Sequence, residues 1–225
     1  MGQGISEVLT FAIGVAISPV PIIAVILMLF SGRARVNGPA FLVGWVLALA
    51  TVSTVVYVLS HDGNVATSSA AADSVSWGKI VLGVVLLMLA RRNWRKRPAA
   101  GEEPPMPKWM GPVDSLTPAK AFGLGVLLAG VNPKNLILTA GAAAGLAQLG
   151  LSTTDAVVAT AVFVVIASLT IVVPVLYALL GGEHARGTLE SAKVWLSAHN
   201  AAVMAVLFLV FGVDLIAKGL PPLTS

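Results

Sequence analysis

Apolar runs of membrane-crossing length recur along this chain and leave it few folds to adopt. A helix needs about 20 apolar residues to cross the hydrocarbon core. Stretches such as PIIAVILMLF and KIVLGVVLLMLA sit inside such runs and lack the period-two alternation of a membrane barrel strand. Charged residues make up 11% of the chain and hydrophobic ones 57%, whereas a soluble domain carries roughly 25% charged residues. The fold class this predicts is an all-α integral membrane protein.

Six spans are predicted, at about 6–31, 39–60, 76–92, 118–147, 153–181 and 199–219. Gly38-Pro39 and Thr117-Pro118 each place proline at an expected first helical position, where its missing N–H costs nothing. Ser152 with Asp155 three residues later reads as a capping box, and Pro221-Pro222 reads as the stop of the last span. Lys and Arg set the orientation. Arg33 and Arg35 follow span one. Arg91, Arg92, Arg95, Lys96, Arg97, Lys108 and Lys120 surround the loop after span three, and Arg186 and Lys193 follow span five. That face is expected to be cytoplasmic in a plasma (inner) membrane, with both termini outside. The net charge of +4 therefore reads as topology, with no nucleic acid as partner.

The proline- and charge-rich linker at 93–117 divides one membrane domain, 1–225, into halves at 1–92 and 118–225. It is expected to be mostly extended or disordered, and HDGNVATSSAAADS reads as a small, polar outer loop with no chemistry of its own. Each half has a small or polar residue directly before a proline inside an apolar run: Ser18-Pro19 with Pro21 in AISPVPIIAVILML, and Asn132-Pro133 in AGVNPKNLILTAGA. The first span would run inward and the fourth outward. The architecture this suggests is two inverted three-helix repeats, whose interrupted helices point to a substrate site.

Proline cannot donate to the carbonyl one turn back, and it disfavours helical geometry in the residue before it. In a membrane, carbonyls freed in this way need protein or water partners. Asn132 and Asn135 can serve as such partners. Lys134 needs another explanation, because it lies about 15 residues, or roughly 22 Å, into its span. A charge at a helix centre costs about 2.5–3.5 kcal/mol. Asp214 has similar depth in span six, so a Lys134–Asp214 pair is expected beside a cavity lined by Asn132, Asn135 and Ser18. The plainer reading is a structural ion pair with no substrate, or an exposed Asp214–Lys218 pair. Asp155 reads as a cap and Pro174 as a kink. GAAAG at 141–145, with Gly123, Gly125, Gly130, Gly44 and Ala48, reads as close helix packing within the bundle or in a homodimer.

No cysteine is present, which excludes disulfides and thiolate chemistry. His61, His184 and His199 fall at or beyond the predicted membrane edges. No metal, cofactor or catalytic constellation is expected, and an enzyme is the weakest reading.

GVLLAGVNPKNLILTAGAAAGLAQLGL together with AIGVAISPVPIIAVILMLF resembles the GAP/Sap-like proteins. These are the peptidoglycolipid- and sulfolipid-addressing proteins of actinobacteria, grouped within the lysine-exporter (LysE) superfamily. The resemblance spans the whole chain, and Asn-Pro-Lys-Asn is its most specific element. It implies a membrane protein that assists export of cell-envelope glycolipids, with Ser18, Pro19, Pro21, Asn132, Pro133, Lys134 and Asn135 as the positions matching the family's motifs. The expected partners are membrane lipids, with an anionic lipid or a small anionic or zwitterionic solute as substrate. Two alternatives stand beside this reading: an ion-coupled exporter of amino acids, and a non-transporting scaffold of a lipid-export machine.

Overall fold

A computed structural model describes residues 2–62, 69–97 and 116–220. In chain order the helices are α1 (Gly2–Ala16), α2 (Pro19–Leu29), α3 (Ala34–Asp62), α4 (Ser69–Arg95), α5 (Pro118–Val126), α6 (Pro133–Gln148), α7 (Thr153–Leu180) and α8 (Gly182–Gly219), with a π-helical turn at Leu127–Val131 joining α5 to α6. No strand occurs among the described residues.

Among the described residues, three helices are long and apolar enough to cross a membrane: Ala34–His61, Thr153–Leu180 and His184–Ala217. Two bent pairs, α1 with α2 at 54° and α5–π with α6 at 60°, raise the count to five if each pair is one span. The sequence pattern gave six. The third expected span lies inside α4, which this count does not include.

Several predicted ends are found. Thr117 caps α5 by accepting from the Lys120 N–H, and Ser152 caps α7 by accepting from the Asp155 N–H. α8 stops at Gly219, ahead of Pro221-Pro222. Other expectations need correction. Pro39 does not open its helix, since α3 begins at Ala34 and carries Pro39 inside. The missing Pro39 N–H costs one bond, to a carbonyl of the first turn. Residues 182–198, expected as a loop, are the first half of α8, where Ala185 and Leu189 bury an apolar side. Most of the expected outer loop is helical, because α3 runs to Asp62 and α4 starts at Ser69; residues 63–68 lie outside the described set. Of the linker, 98–115 lie outside it as well.

The chain divides into two compact units. The first comprises Met1–Gly63 and Pro105–Ser197, the second Asn64–Pro104 and Ala198–Ser225. In the first, α3 packs against α5, α6 and α7, and α1 packs against α6 and α7. Phe41, Trp45, Phe163, Ile26 and Met28 are fully buried there. Small residues set the spacing. A Cβ on Gly44 would collide with the Phe122 carbonyl, and one on Gly125 with the Phe41 carbonyl, so α3 and α5 cross backbone to backbone. The GAAAG face lies on α1: Gly141 faces the Phe11 ring, and Gly145 faces Glu7. In the second unit, α4 and α8 cross at Gly83 and Gly212, each within 3 Å of the other's carbonyl oxygen once a Cβ is added.

The outward face of α7 presents Val157, Val165, Leu169, Val173, Leu176 and Leu180. A continuous exposed apolar stripe of that length is unfavourable in water and suits hydrocarbon.

Candidate functional site

The first break follows from Ser18-Pro19-Val20-Pro21. Pro19 occupies the first position of α2, and Ser18 before it is extended, with φ −112° and ψ 99°. The Ile17 carbonyl falls between the end of α1 and the Ser18 cap, outside both helical ladders, so that oxygen needs a donor from elsewhere. Ser18 makes no side-chain cap, leaving its hydroxyl available to other elements. The Ala16 carbonyl, at the end of α1, accepts from the Thr170 hydroxyl at 2.7 Å.

The second break is built differently. The Asn132 N–H donates to Leu127 O, five residues back, at 2.9 Å, which closes the π turn and leaves Leu128 O without its usual donor. Pro133 then starts α6, and the Asn132 side chain caps it by accepting from the Lys134 N–H at 3.1 Å. The Asn135 amide turns back to the orphaned carbonyl, donating from Nδ2 to Leu128 O at 2.9 Å.

These two breaks meet. Ser18 Oγ donates to Asn135 Oδ1 at 2.8 Å. Lys134 Nζ donates to Ser18 Oγ at 2.5 Å and to Ile17 O at 3.1 Å. The lysine of one break therefore serves the carbonyl left free at the other, more than a hundred residues away in sequence. Ser18 is 3% exposed, Lys134 7% and Asn135 0%, so the cluster is closed to solvent. Both oxygens that Lys134 contacts are neutral, and no carboxylate pairs with it among the described residues of this unit. Neutral acceptors leave a buried lysine without the countercharge that would offset its desolvation.

Of the sequence-predicted residues, Ser18, Lys134 and Asn135 form this cluster. Pro19 and Pro21 are buried beside it in α2, Asn132 is half-buried, and Pro133 is exposed. Ser18 and Asn135 bond to one another where open space between them was expected. Asp214 lies half-buried on α8, in the second unit. Sequence reading missed Thr170 and the roles of the Ile17 and Leu128 carbonyls. The signal was Ser168 and Thr170, two hydroxyls in the apolar middle of α7. Ser18→Ala would leave the Lys134 ammonium and Asn135 Oδ1 each one partner short, at about 1–3 kcal/mol. A fall in melting temperature, with the helical circular-dichroism spectrum unchanged, is the expected readout.

Two cavities in this unit lie apart from the breaks. One, of about 390 Å³, runs between α3 and α7, where Ala156, Val157, Ala161 and Val164 form apolar walls and Thr54 and Tyr57 contribute hydroxyls. The other, of about 400 Å³, lies where α2 ends and α8 begins.

Comparison with curated proteins and with solved structures finds no match. A family model does match. It spans residues 8–221, both helix breaks included, and its description is Sap, sulfolipid-1-addressing protein; the chain belongs to that family.

Proposed function

We propose that the protein assists movement of an anionic cell-envelope lipid across the plasma membrane, with Lys134 at the meeting of the two helix breaks as the group that draws the headgroup. The observation that carries this reading is the buried Lys134 ammonium, whose contacts are two neutral oxygens from the opposite break. An anionic headgroup would supply the missing countercharge. Asp214 enters on its depth in the sequence alone, as an acid that would exchange with the ligand for Lys134. The family's description speaks of a sulfolipid, which is anionic. The apolar groove between α3 and α7 suits hydrocarbon better than a small hydrophilic solute.

The finer architecture belongs to the same proposal. Six spans in two inverted three-helix repeats, as in the LysE superfamily, would place the bends of 54° and 60° at equivalent points. The excess of Lys and Arg would put the linker in the cytoplasm and both termini outside. The chemistry proposed is non-covalent, so the protein is read as a translocation factor and not as an enzyme.

The test is thermal unfolding of the purified chain with envelope lipid extract and, separately, with a panel of amino acids. Saturating lipid is expected to raise the melting temperature by roughly 5–10 °C, and amino acids are expected to leave it unchanged. Stabilisation by an amino acid would replace this reading with solute export. Stabilisation by neither would leave a scaffold role.

A further inference from the structure

A second basic feature lies away from the helix breaks, at the end of the bundle where α2 stops and α7 turns into α8. Gly182, at φ +54°, makes the sharp turn that starts α8, since only glycine takes that backbone readily. The cavity of about 400 Å³ at this corner is walled by Leu29, Phe30, Gly32, Ala178, Gly182 and Arg186. Two of these walls lie at or near the ends of segments of membrane-crossing length: Leu29 closes the bent α1–α2 pair, and Ala178 is two residues short of the end of α7 at Leu180. With those segments read as spans, the cavity falls where hydrocarbon gives way to headgroups.

Its charge is arranged around Phe30. Arg186 Nη2 donates to Phe30 O at 3.4 Å, and its guanidinium carbon is 5.9 Å from the Phe30 ring centroid. Lys193 Nζ approaches the same ring at 5.6 Å. Lys193 is already paired with Glu190, Nζ to Oε1 at 2.7 Å. Arg186 has no such acid among the described residues, and one hydrogen bond engages only one of its five N–H donors. Arg33, in the turn after α2, and Arg35, in the first turn of α3, are both exposed and add positive charge to this end. Beside an open cavity, a guanidinium with no acid partner among the described residues is a receptor for a phosphate oxyanion, which it can grip with two parallel N–H groups.

We propose that this corner binds the phosphodiester headgroup of an anionic membrane phospholipid, with Arg186 as the phosphate ligand. The site is separate from the helix breaks and does not depend on the function proposed for Lys134.

The experiment is native mass spectrometry of the full chain in detergent, titrated with phosphatidylglycerol, with phosphatidylcholine and with inorganic phosphate. Wild-type protein is expected to prefer phosphatidylglycerol to phosphatidylcholine by about tenfold. Arg186→Gln should remove the preference. Arg186 is exposed, so the variant should fold. Gly32→Leu supplies a second test, because an added Cβ there meets nothing within 4 Å and the longer side chain would occupy the cavity; weaker phosphatidylglycerol binding is expected. Binding of phosphate without phosphatidylglycerol would overturn the lipid source and keep the anion chemistry. No preference in the wild type would overturn the site. So would a preference that survives Arg186→Gln.

Discussion

Lys134→Met is expected to weaken stabilisation by anionic lipid while leaving the lipid-free protein at least as resistant to heat as the wild type. Two costs decide the second half of that statement. The substitution removes the donor to Ile17 O and Ser18 Oγ, and an unsatisfied buried acceptor costs about 1–3 kcal/mol. Ser18 retains its bond to Asn135, so the loss falls mainly on one carbonyl. Against this, keeping an ammonium out of water costs several kcal/mol when no opposite charge repays it. Methionine fills nearly the same space without a charge, so the balance favours the variant. The ligand effect runs the other way. Loss of one charged contact to an anion should weaken lipid binding about 10- to 100-fold. Melting curves of both proteins, with and without lipid extract, give both numbers. A variant that melts far below the wild type without lipid would assign Lys134 to structure.

Gly125→Val should be the most damaging single change in the first unit. A Cβ at Gly125 meets the Phe41 carbonyl and lies 3.0 Å from the Trp45 amide nitrogen. These are backbone atoms of α3, which cannot rotate aside. Separating the two helices would also loosen Phe41 and Trp45, both 0% exposed. Overpacking of this kind costs about 3 kcal/mol or more, or roughly 6–12 °C in melting temperature for a chain of this size. Gly123→Ala, two residues away, is the control. Nothing lies within 4 Å of its added Cβ, and removing glycine from a helix gains about 0.5–1 kcal/mol. Opposite signs at 123 and 125 would establish that backbone proximity is the cause. Equal effects would refute it.

The helical class, the caps at Thr117 and Ser152 and both X-Pro interruptions were legible because each rests on local chemistry, such as an absent N–H or a hydroxyl at the right offset. The partners of Lys134 were not legible. A charge searching along sequence for its counterpart points to Asp214, because charge is what composition displays. The oxygens that Lys134 contacts are a serine hydroxyl and a backbone carbonyl, and the carbonyl becomes available only because α1 ends there before α2 begins. Every residue carries a carbonyl, so no pattern of side chains announces which one is free. The length of α8 was hidden for a related reason. Arg186, Glu190 and Lys193 look like a loop by composition, while their spacing leaves Ala185 and Leu189 to bury one side of a helix.

The crossed bonding of the breaks also bears on how the bundle can move. Ile17 O, Leu128 O, Ser18 Oγ and the Asn135 amide are all served within one closed set of contacts. Drawing the two breaks apart would strip several of these groups at once in a medium with nothing to replace them, at a cost of several kcal/mol each in hydrocarbon. Separation can proceed only if a substitute arrives in step, whether water or the oxygens of a headgroup. The proline breaks thus act as an interlock, a joint that stays shut until something polar is present to take the place of what it releases.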